Sequence, residues 1–494
     1  MKIFNTQIRK ASSATRVEFQ TLNAQVVDVE YAIRGPINTR AMELKNQILT
    51  DNNLPFDKII SCNIGNPQVL EQKPLSFVRD VCSLAMNPTL IDRSSTIFKS
   101  DVIERAQKHL NATPSLGCYT ESKGLPSVRE EICDFLETRD GIRGDMDDIF
   151  LTNGASDGAK LLLTTFMRHP TSGFKDGLLA PVPQYPIYSA LMTLLSGECC
   201  GYYLDENNGW SIDSNSIDVA LKKAEADGTT IRAIVVINPG NPTGQVLSSD
   251  ALKDIITYCK DKNICVIADE VYQENVYKEG KKFTSFRKVA YEMNAFDGTN
   301  PLQLVSLHST SKGFFGECGL RGGYFELLGF SQEVRDTVYK LASLTLCSNT
   351  IGQIATGVMV NPPKQGDPSY DTYTTERSAI LESLQRRATK LSHALDQLEG
   401  VSCNSADGAM YCFPSIVLPE GAHIAAKERG CAVDEMYCFE LLEATGIITV
   451  AGTGFSQVPG TFHVRFTILP PEDQIATLID SITTFHASFL KKYH

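Results

Sequence analysis

The sequence predicts an α/β protein: a large domain on a mostly parallel, seven-stranded sheet covered by helices, and a smaller α+β domain. Three observations carry this. Between Asp148 and Leu327, short and continuously apolar runs alternate with helical stretches, the pattern of strands buried on both faces of a parallel sheet. After a polar break at residues 361–368 (NPPKQGDP), the alternation gives way to one long helical stretch and several short mixed elements. The length, 494 residues, calls for more than one domain. The expected division is a tail over 1–21, a segment over 22–70 that joins the small domain, a large domain over 71–355, and a C-terminal small domain over 356–494.

Taken in order, Val26 to Ile33 is an apolar alternation closed by Gly35-Pro36, and Asn38 to Leu49 has helical spacing through Ala41, Leu44 and Ile48. Ile59-Ile60-Ser61-Cys62 reads as a short strand that breaks at Gly65-Asn66-Pro67. Residues 75–140 are mostly helical around a loop carrying Gly117-Cys118-Tyr119. The expected strands are then Ile149–Thr152, Gly177–Ala180, Cys199–Leu204, Ala233–Ile237, Cys265–Ala268, Leu304–Leu307 and Gly323–Leu327. A helix over Thr375–Leu398 opens the C-terminal part, where Phe462 to Leu469 is strand-like.

Composition narrows the function classes. The chain is 42% hydrophobic and 21% charged, as ordinary globular proteins are. Its net charge of −12, with no basic block, argues against nucleic acid or an anionic membrane as the main partner. No run of about 20 apolar residues suggests a membrane span. The 14 cysteines include no C-x-x-C pair and the histidines no ligand spacing, so no metal is expected. Cys133, Cys265 and Cys347 sit in apolar runs, as small buried hydrophobes in a reducing compartment do. The first 17 residues hold Lys2, Arg9, Lys10 and Arg16 and no acid. That composition fits a disordered tail of a cytoplasmic protein and, equally, a mitochondrial presequence.

Ligands of an open parallel sheet bind beyond the carboxyl ends of its strands, and the polar motifs gather there. Ala155 and Ser156 follow the first strand and open a helix, whose free N–H groups favour a phosphate. Tyr185 follows the second strand in a proline-rich turn. Asn241 follows the fourth, Asp269 and Tyr272 the fifth. Lys312 follows the sixth in Ser309-Thr310-Ser311-Lys312, with Arg321 nine residues on. Each has an ordinary reading alone: Ser156 as a helix cap, Lys312 as a solvated loop residue, Gly65 as a turn. Together they meet one list of requirements. Lys312 can hold an aldehyde as an imine, and an amine removed from water gives up its proton more readily. Asp269 can pair with a protonated ring nitrogen, while Asn241 and Tyr272 can bond a phenolic oxygen. Ser309, Ser311, Arg321, Ala155 and Ser156 can hold a phosphate. Pyridoxal 5'-phosphate has this list.

The set resembles the class I, fold-type I aminotransferases over nearly the whole chain from about Val29. The runs 31–36 (YAIRGP), 237–244 (INPGNPTG), 268–276 (ADEVYQENV) and 309–326 (STSKGFFGECGLRGGYFE) resemble the alanine aminotransferase branch. Class I enzymes more commonly place the arginine eight residues after the lysine; the ninth position, with GECG between, matches that branch. The resemblance implies ping-pong transamination from L-alanine to 2-oxoglutarate, with Lys312, Asp269 and Tyr272 as the catalytic residues. Lys312 would carry the cofactor as an internal aldimine and move the proton at Cα, and Asp269 would keep the ring nitrogen protonated. Tyr185 would stack on the ring, and Gly65, Asn241 and Arg465 would hold the substrate carboxylate. Tyr119 would reach the phosphate in a neighbouring subunit, which implies a homodimer. The alternatives are another class I enzyme of the aromatic or kynurenine type, and a cofactor-binding regulator without turnover. A regulator of that kind should add a basic DNA-binding segment, which this acidic chain lacks.

Overall fold

The computed structural model describes Phe19 and residues 22–31, 35–50, 53–93 and 96–494. The expected tail, apart from Phe19, and Ala32 to Arg34 of the YAIRGP run lie outside the described residues.

Seven strands form the large sheet: β1 (Ile149–Thr152), β2 (Asp176–Val182), β3 (Glu198–Tyr203), β4 (Thr230–Ile237), β5 (Cys265–Asp269), β6 (Leu304–Ser309) and β7 (Gly323–Leu328). Their spatial order is β1-β7-β6-β5-β4-β2-β3. Only β7 runs against its neighbours, antiparallel to both β1 and β6; the other pairs are parallel. The mostly parallel seven-stranded sheet expected from the apolar runs is therefore the one observed.

The runs are continuously apolar because each strand serves two cores. Along β4, Ile234 and Val236 join a core with Leu221, Leu252, Ile256 and Phe286, whereas Ala233, Val235 and Ile237 join one with Leu162, Leu163, Leu191 and Met192. Successive side chains of a strand point to opposite faces, so both faces are covered by helices: 214–226, 249–262 and 286–292 on one side, 155–166 and 187–194 on the other. Every residue of β2, β5, β6 and β7 is buried.

The C-terminal part is built on the helix Tyr370–Asp396, the final helix Ile475–Tyr493 and short strand pairs. Tyr411–Cys412 and Val450–Ala451 flank Val464–Thr467, both antiparallel. The N-terminal segment packs here as well: Ile60–Ser61 runs parallel to Ile447–Ile448, and Leu44 of the helix Pro36–Thr50 packs with Leu442 and Ile448. No helix among the described residues is long and apolar enough to cross a membrane.

Two expectations are corrected. The alternation from Val26 begins inside a helix: Ala24–Asp28 is a short helix whose cap, the Asn23 side chain, accepts from Gln25 N–H at 3.0 Å, and Val29 follows it in extended backbone. Five residues are too few for helical periodicity to show. Cys347 lies half-buried in a turn after the helix Gln332–Ser343, whereas Cys133 and Cys265 are buried as expected.

Candidate active site

A cavity of about 400 Å³ opens at the carboxyl ends of β4, β5 and β6. Its lining brings together Gly65, Ala155, Ser156, Tyr185, Asn241, Asp269, Tyr272, Ser309, Ser311, Lys312, Arg321 and Arg465. Of the residues singled out in the sequence, only Tyr119 lies elsewhere, 78% exposed on the loop between the helices Ser100–Ala112 and Pro126–Asp140.

Asp269 is the last residue of β5, in register with Leu307 of β6. Its Oδ2 accepts from the Tyr188 hydroxyl at 2.7 Å, while Oδ1 has no partner. Burial raises its pKa, and the Tyr188 bond, the Val271 N–H and the charge of Lys312 offset this only in part. A carboxylate buried with one oxygen unpaired is costly, so the site has room for a further cationic donor that none of the described residues provides to Oδ1.

Lys312 reaches across from the loop after β6, and its Nζ donates to Gly65 O at 3.0 Å. The amine thus ties the sheet to the N-terminal segment. Its Nζ also stands 5.8 Å from the centroid of the Tyr272 ring. Tyr272 is deeply buried, and burial holds its phenol well above the ordinary range.

A cationic cradle sits at the N-terminus of the helix Ala155–Phe166. Arg321 Nη2 donates to Asn153 O at 2.7 Å and to Ser156 Oγ at 3.3 Å; Nη1 donates to Cys318 O at 3.1 Å and to Ser311 Oγ at 3.3 Å. Gly154 has φ +84°, and a Cβ there would stand 2.5 Å from Arg321 Nη2, so only glycine permits this approach. Arg321 itself has φ +53° after the short 3₁₀ turn Cys318–Leu320, a conformation that costs a non-glycine residue about 1 kcal/mol or more. The carbonyls of Leu320 and Arg321 both accept from Asn349 Nδ2, which pins the strained turn. Ser309 spends its hydroxyl locally, accepting from Ser311 N–H at 3.0 Å and donating to Gly322 O at 3.4 Å.

Arg465 enters from the C-terminal part. It is 1% exposed, donates through Nη1 to Asn241 Oδ1 at 3.1 Å and through Nη2 to Asn63 O, and leaves Nε unpartnered. Its guanidinium lies 4.2 Å from the Tyr411 ring centroid and 4.7 Å from that of Phe455. A buried guanidinium held flat, with donor capacity to spare, suits a planar carboxylate.

Four residues at the site were not singled out in the sequence. Tyr188 stands three residues after Tyr185, so helical spacing could have flagged it. Tyr31 donates to or accepts from the Tyr185 hydroxyl at 2.8 Å and closes one side of the cavity. Cys318 lies within the turn that leads to Arg321, and Tyr411 in a strand of the C-terminal part. Tyr411 carried no local signal beyond its place in Gly408-Ala409-Met410-Tyr411.

Comparison with known proteins agrees in one direction. The family model described as "Aminotransferase class I and II" matches residues 79–482. "Alanine aminotransferase 1, mitochondrial" of Arabidopsis thaliana is 48% identical over 488 residues, covering 98% of this chain and 89% of the relative. "Glutamate--glyoxylate aminotransferase 2" of the same plant is 44% identical over 484 residues, covering 97% and 98%. Among solved structures, an alanine aminotransferase from Pyrococcus furiosus superposes with a TM-score of 0.74 at 24% identity, over 94% of this chain and all of that one, and so shares the fold.

Proposed function

The chain belongs to the aminotransferase class I and II family and is a transaminase; we propose that it moves the amino group of L-alanine to 2-oxoglutarate, giving pyruvate and L-glutamate. The observation that carries this reading is Asp269 Oδ1, a buried carboxylate oxygen without a partner in the same cavity as the Lys312 amine.

That orphan oxygen is also the test of fit for pyridoxal 5'-phosphate. The group presents a cationic ring N–H for Asp269, an aldehyde for Lys312, a ring face for Tyr185 and a phenolic oxygen for Asn241 and Tyr272. Its phosphate suits the Arg321 cradle with Ser309, Ser311, Ala155 and Ser156. When bound, it supplies a sink for the electron pair left at the substrate Cα. The chain supplies the rest. Asp269 stays ionised against the cation and so keeps the ring nitrogen protonated. Lys312 Nζ takes the proton from Cα and returns it. Arg465, with Asn241 and Gly65 beside it, fixes the carboxylate and hence the orientation of the Cα–H bond. Burial of Tyr272 and Tyr185 excludes water.

We further propose that 71–355 forms the cofactor-binding domain and that 22–70 and 356–494 form a small domain that closes with Arg465 over the substrate. In a homodimer, Tyr119 of each protomer would reach the phosphate in the other. For the compartment, the reading is cytoplasmic, with a mitochondrial presequence over the acid-free stretch 1–17 as the alternative. Import into isolated mitochondria with shortening of the chain would separate the two.

The test is single-turnover spectroscopy of the cofactor-loaded protein mixed with one amino acid at a time. Alanine and glutamate should change the cofactor absorbance fastest, and alanine should release pyruvate. No change with alanine sinks the assignment. Glyoxylate offered to the aminated enzyme distinguishes the second activity named among the relatives.

A further inference from the structure

Tyr411 is assigned no role in the reaction above, yet it packs against Arg465 and lies beside the space that Lys312 Nζ occupies. It lies in the strand Tyr411–Cys412, paired with Thr467 of the strand that carries Arg465. It is 2% exposed, and three features of its surroundings stand out.

The first is the ring. The Arg465 guanidinium carbon stands 4.2 Å from its centroid. With Phe455 at 4.7 Å, two aromatic faces meet a cation that is almost fully out of water, a setting in which such contacts are strongest. The second is the hydroxyl. The Tyr272 hydroxyl donates to it at 3.4 Å, and the two rings meet edge to face at 80°. The third is its position over Gly65. A side chain at Gly65 would collide with Tyr411 Oη and come within 3.1 Å of Lys312 Nζ, so phenol and amine share the space above one glycine.

Charge decides which phenol of the pair accepts. Burial alone would push Tyr411 up, but Lys312, Arg465 and the Tyr272 hydrogen bond together bring its pKa below the ordinary value. Tyr272 moves the other way, held well above it by burial and by Tyr411. Tyr411 is therefore the acceptor of the pair, and it stands beside the Lys312 and Arg465 cations.

We propose that Tyr411 is a positioning residue for transamination that acts at both its ends: the ring sets the plane of Arg465, and the hydroxyl sets the place of Lys312 Nζ. This rests on the reading of Lys312 as the reacting amine and of Arg465 as the carboxylate receptor. The two ends are separable. Tyr411→Phe keeps the ring and removes one oxygen; Tyr411→Leu removes both.

The experiment uses the full chain loaded with pyridoxal phosphate and two readouts. Propionate, which has the carboxylate of alanine but no amine, reports Arg465 through its dissociation constant by calorimetry. The alanine half-reaction reports Lys312. Tyr411→Phe should bind propionate within threefold of wild type and keep KM, while kcat falls at least tenfold. Tyr411→Leu should lose the same in kcat and in addition bind propionate at least tenfold more weakly. Phe455→Leu, which removes the other ring, should weaken propionate binding in the same way and shows that the effect follows the stacking rather than damage at position 411. Wild-type kcat in Tyr411→Phe, or equal propionate binding by the Phe and Leu variants, overturns the proposal. If the wild-type chain does not act on alanine, the half-reaction fails for every variant, but the propionate measurement still separates Phe from Leu.

Discussion

Replacing Asp269 by asparagine should have opposite effects on the loaded and the empty chain. Asp269 is 7% exposed, with one oxygen bonded to Tyr188 at 2.7 Å and the other unpaired. Asparagine keeps the shape and an acceptor for Tyr188 but cannot ionise. In the loaded chain the substitution removes one partner of a buried ion pair, which costs about 3–5 kcal/mol. At about 1.4 kcal/mol per factor of ten, cofactor retention weakens by roughly a hundredfold to several thousandfold. In the empty chain the sign reverses. Burial raises the folded pKa above that of the unfolded chain, so the folded state binds this proton more tightly. Its contribution is full below the unfolded value of about 4 and is lost as pH rises through the folded pKa. At pH 8 the variant, free of that penalty, should melt at the same temperature as the empty wild type or higher. The loaded variant should melt below the loaded wild type. Equilibrium dialysis gives the dissociation constant, and calorimetry of both forms at pH 8 gives the two melting shifts. Wild-type retention in the variant would refute the pairing. An empty variant that melts well below empty wild type would refute the claim that the carboxylate is unpaired without its ligand.

Gly65→Ala places a methyl against Tyr411 Oη and 3.1 Å from Lys312 Nζ; alanine turnover should fall on the order of 100-fold, as a displacement near 1 Å at a reacting group costs, and a loss below threefold in steady-state kinetics counts against the shared space. Glu270 is buried and accepts from Phe286 N–H at 2.8 Å, and burial pushes it up to about 7. A raised acid destabilises as pH climbs through that value, so Glu270→Gln should gain up to about 3 kcal/mol on wild type between pH 5 and pH 8, and denaturant midpoints that move in parallel at the two pH values would contradict it. Tyr119→Phe should weaken cofactor binding about tenfold, the weight of one hydrogen bond to a charged group, without changing the sedimentation of the protein; unchanged affinity would remove Tyr119 from the proposed shared site.

What the sequence disclosed and what it withheld divide along one physical line. Asp269, Asn241 and Lys312 were legible because each ends an apolar run, and a strand end in a parallel sheet has only one place to be. The residues that orient them were not. Tyr188 reads as packing until its bond to Asp269 is seen. Tyr411 meets Gly65, Tyr272 and Arg465 only through contacts between parts of the chain far apart in sequence. Those contacts depend on register. Ile60–Ser61 beside Ile447–Ile448 fixes the approach to Asn63 and Gly65, and Tyr411 opposite Thr467 places the phenol beside Arg465. Slipping a strand by one residue turns each side chain to the other face. In the pair Tyr411–Cys412 that slip would put Cys412 where the phenol stands, leaving Arg465 with one ring and Lys312 without its neighbour. No local pattern in Met410-Tyr411-Cys412-Phe413 chooses between the two registers. The choice is made by tertiary packing, because Met410, Tyr411 and Cys412 are all buried in one core with Phe466 and Ile468. Chemistry at this site is thus written at strand ends, and its precision is written in how the core of the C-terminal part packs.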